Sequence, residues 1–118
     1  MIDVGTEARL NTLVLSGCLT ERKPMRYTPV GVAVSEARIE HGSQQVENGR
    51  ERQVNLSLAV VALGDLAAIL AAGPLGGAVR IQGFLAARSR NSVTPVLHAQ
   101  TIEYLEGNEN GTILQEKA

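Results

Sequence analysis

The chain has 118 residues, 44% of them hydrophobic and 19% charged, with a formal net charge of −1. These figures fit one soluble globular domain and exclude both a chain disordered throughout and two independent cores. Tyr27, Phe84 and Tyr104 are the only aromatics, so the core must be aliphatic, and the single Cys18 cannot staple the fold.

Residues 1–10 read as an N-terminal extension, in which Asp3, Glu7 and Arg9 interrupt any apolar run, so no signal peptide is expected. AsnThrLeuValLeuSerGlyCysLeu at 11–19 predicts a long first strand that bends sharply at Gly17. Residues 24–31 hold Pro24, Pro29 and Gly31 and form a loop. From Val32 to His41 the residues alternate: Ala33, Ser35, Ala37 and Ile39 face the core, while Glu36, Arg38 and Glu40 face out. Residues 41–52 are polar and read as a hairpin tip turning at Asn48-Gly49. Val54 to Leu63 is a third strand, with Val54, Leu56, Leu58 and Val60 in phase.

At 64–72 the period changes to that of a short helix, with Asp65 as its N-cap and Gly73-Pro74 as its stop. Ala78 to Ala87 and Pro95 to Leu105 are the fourth and fifth strands, with Phe84 placed in the core. Residues 106–118 are polar and glycine-containing and read as a flexible C-terminal tail. The longest apolar stretch, 56–79, is broken by Asp65, Gly73, Pro74, Gly76 and Gly77, so no membrane span is expected.

The expectation is therefore an all-β domain over residues 11–105, five strands with a short helix between the third and fourth. That is the order of the OB fold, a partly open Greek-key barrel. Other small barrels, the SH3-like ones among them, share the strand count, and the helix position favours OB.

Charge is unevenly placed. No Asp or Glu lies between Leu66 and Ile102, roughly a third of the chain, while Arg80, Arg88 and Arg90 lie inside that interval. Within residues 11–105 there are nine Lys or Arg against seven acids. A basic hairpin tip in an acid-free interval suggests an anionic partner such as nucleic acid, with simple solubilisation as the plainer reading of Arg88 and Arg90. Catalysis is not suggested. GlyProLeuGlyGly at 73–77 lacks the lysine of a phosphate loop, Cys18 has no evident activating base, and His41 and His98 lack metal-ligand spacing, so no cofactor or metal is expected.

AsnThrLeuValLeuSerGly at 11–17, ArgTyrThrProValGlyValAlaVal at 26–34, IleGluHis at 39–41, ValArgIleGlnGlyPheLeu at 79–85 and ValLeuHisAlaGlnThrIleGlu at 96–103 together resemble the family of primosomal replication protein N, or PriB, a relative of the single-stranded DNA-binding proteins. The resemblance runs in order from about Leu10 to Leu105. It implies a cytoplasmic OB-fold homodimer that binds single-stranded DNA and assists the PriA helicase, with other primosome proteins as further partners. It also implies nucleic-acid contacts from Arg26, Arg50, Arg52, Arg88 and Arg90, with Tyr27 as a base-stacking candidate.

Each residue has a plainer reading. Arg50 and Arg52 sit among Glu47 and Glu51, and Tyr27 could pack beneath its own loop. Arg38, between Glu36 and Glu40, is expected to be neutralised by them. Where one well-studied branch of the family carries stacking aromatics, this chain has Arg50 and Asn55, which implies weaker, more electrostatic binding. The alternative is a protein-interaction module of the primosome with only weak DNA binding.

Overall fold

The computed structural model describes residues 9–105. Most of the expected extension, 1–10, and all of the expected tail, 106–118, lie outside the described residues. The elements in chain order are β1 (Leu13–Arg22), β2 (Arg26–Tyr27), β3 (Ala33–Glu47), β4 (Arg50–Leu63), α1 (Asp65–Ala72), β5 (Ala78–Ser89) and β6 (Ser92–Tyr104). The sheet order is β1-β5-β6-β4-β3-β2, and a further pairing of β1 with β3 closes five strands into the OB-type barrel. The loop at 24–31 contributes the extra two-residue strand β2. The helix thus follows the fourth strand in chain order, while among the five barrel strands it keeps the expected place.

Closure depends on β1 serving two partners. Residues Leu13 to Cys18 pair with β5, and from Cys18 to Arg22 the strand pairs with β3. At the changeover the backbones nearly touch, since a Cβ on Gly17 would lie 2.2 Å from the Glu40 carbonyl oxygen. Only a residue without a side chain permits that approach. The register irregularity lies just beyond, between Leu19 and Glu21.

The polar segment 41–52, read as a hairpin tip, is mostly strand. β3 and β4 stay in register from Val34↔Leu63 to Glu47↔Arg50, leaving only Asn48 and Gly49 to turn, with φ of 53° and 75°. A two-residue Asn-Gly turn with both φ positive matches the twist of the flanking strands, so the ladder runs to the tip. Cross-strand polar pairs line this arm, including Gln44 Nε2 donating to Gln53 Oε1 at 2.8 Å. The β5–β6 strands are likewise longer than expected and turn at Arg90 and Asn91.

The core is aliphatic. Leu19, Ile39, Val60, Val79, Ile81 and Leu97 from the strands and Leu70 from the helix are all fully buried. Each contributes on the order of 1.5–3 kcal/mol by burial. Leu56 keeps the expected phase with Leu58 and Val60 but is exposed, because it lies on the arm past the core. Cys18 is exposed as well, on the outer side of β1.

Gly64, not Asp65, is the N-cap, and no side chain caps the helix start; Asp65 is the first helical residue, where its charge still favours the helix dipole. Three strands hold the helix over the barrel end. Ser35 Oγ of β3, fully buried, donates to Ala67 O at 2.6 Å. The Tyr104 hydroxyl of β6 donates to Ile69 O, and Arg22 of β1 donates to Gly73 O beyond the last turn. Burial raises the Tyr104 hydroxyl above its ordinary pKa, so it stays a neutral donor at working pH.

Tyr104→Phe removes that donor while keeping the ring. It should cost about 1 kcal/mol, read as a fall of about 4–8 °C in melting temperature. Unchanged thermal unfolding would contradict the helix-anchoring role.

Candidate nucleic-acid interface

Strand alternation decides what the outer face carries. On β3, Ser35, Ala37 and Ile39 point into the barrel, and strand alternation puts Val34, Glu36 and Arg38 on the other side, where Val34 is nevertheless buried. Their antiparallel partners on β4 are Leu63, Val61 and Ala59. β4 then meets β6 in parallel at Val61↔His98. One outward row therefore runs Glu36, Val61, His98, and ends at Phe84, the antiparallel partner of His98 on β5.

Phe84 is half-buried and not in the core as expected. Its ring stacks on His98 with centroids 5.1 Å apart and planes 7° apart. The irregularity at Gln82/Gly83 locally alters the β5–β6 register next to it.

A groove of about 400 Å³ lies along this face. Its floor is Val34, Val61, Leu63, Val96 and the His98 ring, and its rim carries Lys23, Arg26 and Arg88. Lys23 arrives because the β1–β3 ladder extends one step, with Lys23 N donating to Glu36 O at 3.0 Å. Arg26 arrives because β2 pairs with β3 at Arg26↔Val34. Arg88 comes from the end of β5, where Ala87 pairs with Pro95.

One acid sits among these cations. Arg26 donates to Glu36 Oε2 at 2.8 Å and Lys23 Nζ lies 3.7 Å from Glu36 Oε1. The Glu36 side chain is only 18% exposed, against 60% for Arg26. The Arg26 hydrogen bond holds its carboxyl below the usual carboxylate range; burial opposes this, and the charges of Lys23, Arg26 and Arg88 add to it.

The predicted contact residues fall into two places. Arg26 and Arg88 converge on the groove. Arg90 lies at the exposed β5–β6 turn, and Tyr27, next to Arg26, is 65% exposed and not packed beneath its loop. Arg50 and Arg52 are elsewhere, at the tip of the β3–β4 arm, roughly 30 Å along the strand from Val60. Arg52 is held there by Glu47 at 2.7 Å, as the plainer reading had it. Arg38 forms no ion pair with Glu36 or Glu40; its guanidinium donates to Ser57 Oγ at 2.9 Å.

Lys23, Glu36 and His98 were not among the predicted contacts. The alternation of β3 did place Glu36 outward. His98 depends on the parallel β4–β6 pairing, which no local pattern signals.

A family model described as another single-strand binding protein family matches residues 11–101. The replication restart protein PriB of Bordetella pertussis is 43% identical over 99 residues, covering 84% of this chain and 92% of that protein. PriB of Neisseria meningitidis serogroup B is 38% identical over 98 residues, covering 82% and 97%. Among solved structures, PriB from Ralstonia solanacearum superimposes with a TM-score of 0.73 at 33% identity, covering 80% of this chain and 97% of that one. The single-stranded DNA binding protein from Thermus aquaticus superimposes at 0.68 with 29% identity, covering 84% of this chain and 52% of that one.

Because the folded Glu36 carboxyl lies below its ordinary value of 4.5, its stabilising contribution is full above that value and is lost as pH falls through the depressed one. The difference in melting temperature between wild type and Glu36→Gln should therefore narrow from about pH 5 to about pH 3. A difference that stays constant over that range would contradict the ion-pair assignment.

Proposed function

The chain belongs to the single-strand binding protein family and, within it, to the PriB replication restart proteins, and on that premise we propose that it binds single-stranded DNA across the outer face of β3, β4 and β6. In this reading it is a cytoplasmic accessory protein of the replication-restart primosome that stabilises or stimulates the PriA helicase on DNA. The observation that carries it is the convergence of Lys23, Arg26 and Arg88 over an apolar groove between the β1–β3 loop and the β5–β6 hairpin. Those two loops and the intervening strand face are where OB folds take up oligonucleotides.

The chemistry favours backbone over base recognition. Guanidinium groups pair with phosphates in a bidentate way and stay charged at any working pH. An aliphatic floor gives bases something to lie against but few groups to read their edges. Duplex is disfavoured, since an open groove admits a flexible strand more readily than a stiff rod.

Glu36 favours the second reading, a protein-interaction module with weak DNA binding, because it already neutralises part of the rim. Binding of single-stranded DNA and of the helicase measured on one sample separates the two.

A homodimer belongs to the same proposal. β1 pairs with β5 over Leu13–Cys18 and with β3 only from Cys18 onward, so within the described residues one edge of Leu13–Gly17 has no strand beside it. Such an edge is a template for a second chain. Sedimentation equilibrium at tens of micromolar, about the level where a weak homodimer is visible, should show a dimer, and monomer alone would remove this part of the reading.

Arg88→Ala with Arg90→Ala should weaken single-stranded DNA binding by about 1–2 kcal/mol at low salt. The double substitution should leave the melting temperature nearly unchanged and flatten the slope of log affinity against log salt by roughly 1.4, at about 0.7 per phosphate. Arg80→Ala is the control, since Arg80 is paired with Glu103 at 3.0 Å away from the groove. Equal weakening by the control in fluorescence anisotropy would place the site on the wrong face.

A further inference from the structure

We propose that Glu36 is an affinity-setting residue: its carboxylate occupies the position that a DNA phosphate takes, so that a strand enters the groove only by displacing it from Arg26 and Lys23. The inference rests on the reading that this face binds single-stranded DNA.

Three observations carry it. First, Glu36 is the acid in a groove whose other charged lining groups, Lys23, Arg26 and Arg88, are all cations. Second, its two oxygens divide the work as a phosphate's would, Oε2 accepting from Arg26 at 2.8 Å and Oε1 lying 3.7 Å from Lys23. Third, the carboxylate is largely covered while both cations are more than half exposed, at 60% and 70%. The acid is the inner member of the cluster, and the cations close over it from the solvent side.

Carboxylate and phosphate compete for the same donors, since both present anionic oxygens to the guanidinium fork. With Glu36 in place, Arg26 and Lys23 gain little by turning to a phosphate, because they exchange one anion for another and leave a covered carboxylate without its partners. Arg88 and Arg90, which form no ion pair among the described residues, would then supply most of the attraction. Removing the charge of Glu36 makes two further cations available. Affinity is thereby set low by the same residue that orders the rim.

The test is the salt-dependent binding of a fluorescein-labelled oligothymidylate to the full chain, wild type against Glu36→Gln. The substitution should raise affinity about tenfold at low salt and steepen the salt slope by roughly 1.4, for two more phosphates neutralised. Glu40→Gln removes the same charge from the same strand away from the groove and should change affinity less than about twofold. Adding Arg26→Ala to Glu36→Gln should about halve the gain in salt slope, to roughly 0.7, since Lys23 alone then remains released. Glu36→Thr, a strand-compatible replacement, provides the same comparison if glutamine is not tolerated.

If wild type binds and Glu36→Gln binds no tighter, the competition is refuted while the DNA reading stands. Equal gains from Glu36→Gln and Glu40→Gln would also refute it, since net charge alone would then explain the change. If neither wild type nor Glu36→Gln binds the oligonucleotide, both the competition and the DNA reading fall.

Discussion

The close passage of β1 over β3 is the constraint from which the rest follows. Gly17 lets its backbone come against the Glu40 carbonyl, and from Cys18 onward β1 leaves β5 and pairs with β3. That exchange closes the barrel. It also carries the β1–β3 ladder on to Lys23 N and Glu36 O, which places the first cation of the rim beside the acid at its centre. A side chain at residue 17 would therefore disturb the core and the groove together, although Gly17 is part of neither.

Closure also explains why the outer face can be both apolar and charged. The barrel interior takes one residue in two from each strand, and the alternate set must go outside. On β3 and β4 that set includes Glu36, Val61 and Leu63, too apolar together to be ordinary solvent-facing strand, and Val34, which is itself buried. Loops at both ends, with Arg26 on one and Arg88 at the root of the other, turn this face into a groove. With no tryptophan in the chain and Phe84 engaged with His98, the groove offers an unstacked base mainly aliphatic contact, with the His98 ring in its floor and the exposed Tyr27 beside Arg26 as the rings within reach. Phosphate contact is then the dominant attraction in the proposed complex, and Glu36 is its principal opponent.

The fold was largely legible because each element has its own signal. Alternation marked β3 over Ala33 to Ile39, the change of period marked α1, and Asn48-Gly49 marked the hairpin turn. Boundaries failed where polar residues form strands: the arm at 41–52 reads as loop because its side chains never meet a core, yet the two-residue turn forces the ladder to continue. Asp65 was misplaced because the residue before it is a glycine, which caps through its backbone alone. Phe84 was misread because an aromatic in an apolar run looks like core, and only the strand register shows that it points outward.

The candidate site was half legible. Arg26 and Arg88 stand out as cations near turns, but their convergence needs β1 through β6 to be in place, and Arg50 and Arg52, equally basic in sequence, end up at the far end of an arm. Glu36 was visible as an outward residue and invisible as a competitor, since its partners come from two other elements.

In the proposed complex single-stranded DNA lies on the face around Glu36 and not at the tip of the β3–β4 arm. Chemical-shift mapping by NMR with an unlabelled oligothymidylate tests it most directly. Resonances of Arg26, Val61, Arg88 and His98 should move together along one saturating curve, with those of Arg50 and Arg52 staying in place. Shifts confined to the arm tip, with the groove resonances unmoved, would contradict it.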